Sequence, residues 1–242
     1  MSGHSQFKNI MYRKGAQDAR RAKVFSKIGR EITVAVKEGG TDPESNSRLR
    51  SALISAKSEN MPNDNIDRAI KKAVGNEVGV DYQSVRYEGY GPGGVAIIVE
   101  GLTDNKNRTA PEVRSAFSRF SGSLGETNSV SFQFEHVGYV RYGCANVSEE
   151  DIFETALEAG ADDIVSEDDS FEIICPLEHF SSLREALWKK FGEPSEASVI
   201  WKPKNTVPVS NENAKMLEKL IELLEDNDDV QSVTTNASFP EN

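Results

Sequence analysis

Apolar residues in the first part of the chain recur at three- and four-residue spacing. Phe25, Ile28, Ile32 and Ala35 make one stripe within 17–38, with Arg20, Arg21, Lys23, Lys27 and Arg30 on the opposite side. Gly39-Gly40 ends that helix, because glycine accepts the left-handed backbone of a C-terminal cap. A second helix is predicted over 46–59, with Leu49, Leu53 and Ala56 inward. A third starts near Pro62-Asn63-Asp64, buries Ile66, Ala69, Ile70 and Ala73, and ends at Gly75. Helices of this length form a bundle with a small core.

After residue 79 the period shortens to that of strands. Segments 85–88 and 95–100 flank the loop Gly89-Tyr90-Gly91-Pro92-Gly93-Gly94, whose Gly91-Pro92-Gly93-Gly94 part reads as a tight hairpin connection in preference to an anion cradle. A helix is predicted at 110–120, with the capping-box spacing of Thr109 and Glu112, then a strand at 130–134. Residues 137–142, 149–159, 163–167, 170–175, 181–190 and 197–201 read as β, α, β, β, α, β, with Ser148 and Asp151 capping the first helix. That is the order of a ferredoxin-like split βαβ domain. Beyond Pro203 come a strand at 206–209, an amphipathic helix at 212–226 carrying Leu217, Leu220, Ile221 and Leu224, and a strand at 230–234.

The closing β-α-β and the piece at 82–134 are each too small to bury a sheet face and a helix face. Their union is therefore expected, with the intervening unit inserted at a loop. The predicted class is α+β: an N-terminal three-helix domain followed by two α/β (ferredoxin-like) domains, one discontinuous. The expected boundaries are 1–78 for a basic helical domain, 79–134 plus 205–242 for the discontinuous domain, and 135–204 for an inserted acidic βαββαβ domain.

Charge divides along the same lines. The whole chain has a formal net charge of -11, yet its first 78 residues hold 15 Lys/Arg against 9 Asp/Glu, and the rest 13 against 30. A polyanion responds to the local field, so the basic head is a candidate docking end for nucleic acid. No run of 18 apolar residues exists, so no membrane partner is expected, and the polar N-terminus lacks the apolar core of a secretory signal. Asp18, Glu31 and the helices that follow weaken a mitochondrial presequence reading. Cys144 and Cys175 read as thiols of a reducing compartment in preference to a disulfide, which makes the cytoplasm the expected location.

The candidate nucleic-acid contacts are His4, Lys8, Asn9, Tyr12, Arg13, Lys14, Arg20, Arg21, Lys23, Lys27 and Arg30, extended by Lys57 and Arg68 on the next two helices. Phe7 and Tyr12 among the cations offer stacking faces for unpaired bases. The competing reading is a solvated helix face that packs on the acidic body. Tyr87, Tyr90, Gly93, Gly94, Asn105 and Arg108 form a candidate second surface: aromatics, a glycine turn and a dense polar loop. That loop equally suits a helix cap in which Asp104 and Arg108 pair. No cofactor, metal site or catalytic constellation is expected, because the His and Cys residues are dispersed and no nucleophile-base pair is evident. The acidic run 149–172 holds eleven carboxylates and no cation, which suits either repulsion from nucleic acid or a basic protein partner.

Several segments together resemble the YebC/PmpR family of probable transcriptional regulatory proteins, which includes mitochondrial translational activators. The resemblance is carried by Gly3-His4-Ser5, Asn9-Ile10, Arg13-Lys14, Gln17-Asp18, and Lys57 with Asn60-Met61-Pro62. It continues through Tyr87-Glu88-Gly89-Tyr90-Gly91-Pro92-Gly93-Gly94, Thr103-Asp104-Asn105 with Asn107-Arg108-Thr109, Gly122, Leu124-Gly125 and Ala159-Gly160-Ala161-Asp162-Asp163. Phe7 stands where the family usually has Trp, Tyr12 where it has His, and Phe120-Ser121 where it has His-Gly. The resemblance implies a helical domain before two α/β domains, one discontinuous, and a non-enzymatic regulator of gene expression. Bacterial members are commonly described as DNA-binding transcriptional regulators. Mitochondrial relatives act in translation, and some bacterial members are linked to the ribosome.

The expected partner is thus nucleic acid, as duplex DNA or as ribosomal RNA with the ribosome. A protein-interaction adaptor working through the acidic domains is the third reading. The spread of cations over a leader and several helices, without one evident reading helix, leans toward RNA.

Overall fold

The computed structural model describes residues 17–75, 81–167 and 169–240. The chain divides into two compact units. One comprises the described parts of 1–27, 78–135 and 203–242, the other those of 28–77 and 136–202. The fold is α+β, with N-terminal helices α1 (Gln17–Gly39), α2 (Ser47–Ser58) and α3 (Asn63–Val74) ahead of the α/β parts.

In the first unit, β1 (Gln83–Tyr90) and β2 (Ala96–Thr103) pair antiparallel from Gln83↔Thr103 to Tyr90↔Ala96. The loop between them is therefore a hairpin connection. It contains one 3-10 turn, Pro92–Gly94, with Gly93 and Gly94 at φ 82° and 74°, a region where a Cβ is strained. The edges of this sheet are β3 (Ser123–Leu124) on β1 and β9 (Val230–Thr235) on β2. β9 runs antiparallel to β2 from Ile97↔Thr235 to Gly101↔Val230, so two distant stretches of chain share one sheet. Helices α4 (Lys106–Arg119) and α7 (Asn211–Glu225) supply the other half of its core. Val95, Ile97, Val99, Val113, Phe117, Leu217, Leu220 and Leu224 are buried together there. Each such side chain contributes about 1.5–3 kcal/mol when fully buried. A short parallel pair, β8 (Val207–Pro208) with β10 (Ala237–Ser238), lies beyond.

In the second unit, the sheet order is β5 (Asp163–Ser166), β6 (Ser170–Pro176), β4 (Phe134–Gly143), β7 (Glu196–Pro203). Counted within this unit that is 2-3-1-4, the ferredoxin-like arrangement. Helices α5 (Glu149–Glu158) and α6 (Leu177–Phe191) bury Ile152, Ala156, Leu183 and Leu187 against Val140 and Ile173. The helical part of this unit is pinned by Asn46. Its Oδ1 accepts the Leu49 N–H at 3.0 Å, and its Nδ2 donates to Ala35 O at 2.7 Å and Gly40 O at 2.8 Å. One buried side chain thus starts α2 and closes the end of α1.

Four local expectations need correction. α4 begins at Lys106, capped by Asn105. Thr109 lies inside its first turn, fully buried, where it caps nothing. Segment 130–133 is not a strand, and Phe134 already belongs to β4: Ser131–Gln133 is a 3-10 turn, and the Val130 and Ser131 N–H groups donate to the Glu88 carboxylate at 3.0 and 2.8 Å. α6 starts at Leu177, earlier than 181, directly after Pro176. On α2 Leu49 and Ala56 are buried as expected, but Ile54, which joins the core under β4 and β6, is buried in place of Leu53, which is only half-buried.

Candidate nucleic-acid interface

The predicted basic head separates into residues with partners and residues without. His4, Lys8, Asn9, Tyr12, Arg13 and Lys14 lie outside the described residues, and Arg20 lies in the first turn of α1. Arg21 is exposed and makes no hydrogen bond or ion pair among the described residues. Lys23 and Lys27 are engaged at the end of α7. The Lys23 ammonium sits 2.7 Å from Asp226 Oδ1 and 3.2 Å from Asp226 O, and Lys27 donates to Glu225 O at 2.9 Å. A helix C-terminus leaves carbonyls unsatisfied and carries partial negative charge, so two ammonium groups are well placed there. Burial lowers the Lys27 pKa, with Glu225 opposing the shift.

Arg30 is half-buried and has a partner of its own. Lys57 pairs with Glu193 at 2.8 Å. Arg68 is exposed on α3 beside Lys71 and Lys72, and none of the three has an ion-pair partner among the described residues. Arg48, between them in sequence, is held by Glu31 at 2.6 Å and Glu38 at 2.7 Å. These carboxylates raise its already high pKa against the effect of burial. The cations left outward in this stretch are therefore Arg21, Arg68, Lys71 and Lys72.

The second predicted surface is mostly internal in its bonding. Asn105 spends its side chain on the Arg108 N–H at 3.2 Å. Arg108 donates from Nη2 to Asp229 Oδ2 at 2.6 Å and to Asp104 Oδ1 at 2.9 Å, which raises its pKa further. Asp229 is 2% exposed and also accepts from Thr103 Oγ1 at 3.0 Å and Thr109 Oγ1 at 2.7 Å. One buried carboxylate thus organises the entire strand-to-helix loop. Tyr87 packs on the sheet core, and its phenol pKa rises through burial and then through Asp229. Tyr90 is exposed, and its hydroxyl accepts from Gln133 Nε2 at 3.1 Å. A side chain on Gly93 would press on Asn213, whereas Gly94 faces open space.

Sequence reasoning missed Asp229, Thr103 and Glu88 as organisers. Asp229 lies far along the chain from the loop it holds, and only the discontinuous pairing of β2 with β9 brings it near. Glu88 sits mid-strand, where its signal is a carboxylate at a position of the sheet that is almost fully buried. Buried Arg184 was also missed. It is 2% exposed and donates to Ser47 O, Ser47 Oγ and Ser51 Oγ at 3.4, 3.0 and 3.3 Å, tying α6 to the first turns of α2.

The acidic run is partly consumed by its own fold. Glu149, Glu150 and Asp151 occupy the first turn of α5, where negative charge suits the helix dipole. Asp151 meets Lys190 at 3.1 Å, Asp163 meets Lys202 at 3.3 Å, and Asp169 meets Arg141 at 3.3 Å. Among the described residues no three His, Cys, Asp or Glu converge closely enough to hold a metal ion. Cys144 and Cys175 are free thiols, and burial pushes the Cys175 thiol up to about 11. No described helix is long and apolar enough to cross a membrane.

An N-terminal helical region ahead of α/β domains defines an α+β protein, with Arg21, Arg68, Lys71 and Lys72 outward and without ion-pair partners among the described residues. Residues 5–76 match the TACO1/YebC protein N-terminal domain, and residues 82–237 match the TACO1/YebC second and third domain. The chain belongs to the TACO1/YebC family, which is described as one of transcriptional regulators and translational activators. It is also similar to the crystal structure of a conserved hypothetical protein from Aquifex aeolicus. The two share 44% identity over 96% of each chain, with a TM-score of 0.84.

Proposed function

We propose that this protein is a non-enzymatic, nucleic-acid-binding regulator of gene expression that works in the cytoplasm. The observation that carries this reading is the set Arg21, Arg68, Lys71 and Lys72. These stay exposed and, among the described residues, unpaired in a chain with 39 carboxylates, whereas Lys23 and Lys27 are satisfied internally. Cations left free in a strongly acidic protein suit an external polyanion. In this reading the helical domain 1–78 docks, and the inserted domain 135–204 is held off the ligand by like charge.

RNA, including ribosomal RNA, is the better-supported ligand. In a helix-turn-helix the N-terminal residues of the second helix meet base edges in the major groove. The matching positions on α3 are Asn63, Asp64 and Asp67, exposed and dominated by carboxylates, while the cations begin only at Arg68, mid-helix, and continue with Lys71 and Lys72 in the last turn. That arrangement suits a contact with phosphates and fits groove reading poorly.

Crosslinking in cells, followed by sequencing of bound DNA and bound RNA, tests the choice. Enrichment of ribosomal RNA without promoter DNA is expected, and the reverse would restore the transcriptional reading. In vitro, replacing Arg13, Lys14, Arg20 and Arg21 by Ala weakens binding and flattens its salt dependence. The pair Lys23→Ala and Lys27→Ala leaves the salt dependence unchanged. A wild-type protein that binds neither nucleic acid but captures a basic protein would establish the adaptor reading instead.

A further inference from the structure

Helix α4 holds four cations, Lys106, Arg108, Arg114 and Arg119, and one carboxylate, Glu112. The fold treats them differently. Arg108 is bound to Asp104 and Asp229, and Glu112 accepts a hydrogen bond from Asn227 Nδ2 at 2.7 Å. Lys106, Arg114 and Arg119 are exposed, and none makes an ion pair or hydrogen bond with a described residue. Arg119 rests only on the Phe120 ring, 5.8 Å from its centroid. The buried side of the helix is Thr109, Val113, Ala116 and Phe117.

At 3.6 residues per turn, Arg114 and Arg119 lie about 140° apart around the axis and about 7.5 Å apart along it. Both point into the solvent half of the helix. Exposed Ser115 and Ser118 fall between them, offering hydroxyl donors, and no carboxylate lies on that strip. The two guanidinium groups thus flank a neutral, hydrogen-bonding strip, with Lys106 at the start of the helix. The segment after residue 78 is strongly acidic as a whole, so a helix whose only carboxylate is turned to Asn227 departs from its surroundings.

We propose that α4, through Arg114 and Arg119 on its outer face and Lys106 at its exposed first position, is a second RNA-contacting surface that grips the phosphodiester backbone. The inference rests on the nucleic-acid reading above and moves the second contact away from Asn105 and Arg108, whose bonds are internal. Guanidinium groups meet phosphate oxygens in paired hydrogen bonds, and the serine hydroxyls add neutral donors. The surface recognises phosphate and sugar, so it positions RNA without reading its sequence.

The test uses the full chain, with fluorescence anisotropy on a labelled oligo(U) strand and on a duplex DNA across a salt series. Losing three phosphate contacts should flatten the log-log salt slope on the single strand by about 2, since each contact contributes about 0.7. The variant K106A/R114A/R119A is expected to show that change with an unaltered melting temperature. R114K/R119K, which keeps the charge, should retain the wild-type slope. An unchanged slope in the triple Ala variant overturns this inference. If replacing Arg13, Lys14, Arg20 and Arg21 still flattens the slope in that case, the nucleic-acid reading survives without α4. Loss on duplex DNA with none on the single strand also overturns the RNA assignment. Absence of salt-dependent binding by the wild-type protein overturns both readings.

Discussion

Asp229 decides more of the polar loop after β2 than any residue inside that loop. Its carboxylate holds Thr103, Arg108 and Thr109 at once. Removing it takes the charged acceptor from two buried hydroxyls, which keep only each other and Asn105, and leaves a guanidinium with only Asp104. Asp229→Ala should therefore lower stability by about 2–4 kcal/mol, read as a shift in the urea midpoint. Glu88 gives a pH-dependent counterpart. Burial alone would raise its pKa, but N–H groups of Val130, Ser131 and Asn128, with Arg86, outweigh that and hold it below the usual carboxylate value. A depressed folded-state pKa stabilises the fold above the unfolded value, about 4.3 for Glu, and that contribution disappears as pH falls through the folded value. Glu88→Gln should accordingly be less stable than wild type at neutral pH, with the gap closing in acid, as urea titrations at several pH values would record. The Asp104–Arg108 pair was legible from its i,i+4 spacing. Asp229 was not, because nothing local to the loop announces an acceptor from another segment.

At the scale of elements, apolar periodicity placed the helices and strands closely, and its errors share one cause. Val130, Phe132 and Phe134 alternate as a strand should, yet Glu88 takes the N–H groups of Val130 and Ser131, and Phe132 stays exposed. Periodicity reports which side chains face inward. It does not report where backbone donors go. The same limit misplaced the start of α4, where the spacing of Thr109 and Glu112 imitates a capping box while Asn105 does the capping. Asn105→Ala should cost about 1 kcal/mol, typical of a lost N-cap. Glu112→Ala, which removes only an exposed bond to Asn227, should cost less, and thermal melts of the two variants would separate them. α2 shows the reverse case. Its sequence carries two apolar faces, and Ile54 lies on the one that meets a second partner beneath β4 and β6, which the helix's own periodicity does not announce.

On the scale of the whole molecule, the discontinuous sheet was legible from a shortage: the closing β-α-β had too little of its own surface to bury. β9 hydrogen-bonds along β2, and α7 fills the core that α4 leaves open. The candidate interface was legible only as a charge bias, since knowing which cations remain outward requires knowing where each carboxylate goes. Ending the chain at Lys204 removes α7 and β9 together, with Leu217, Leu220, Leu224 and Val230. The truncated protein is expected to aggregate on expression, and a soluble, cooperatively melting product would contradict this account of the core.

The pairing of β9 with β2 also sets a schedule for synthesis. Growing at about 5–20 residues per second, the chain exposes β2 roughly 6–25 s before β9 is made. Throughout that interval Ile97 and Val99 lie on a strand with one open edge, the kind of edge that other chains can join. For this protein, shielding of the nascent chain is therefore a requirement written into strand order, and it lasts until β9 has been added.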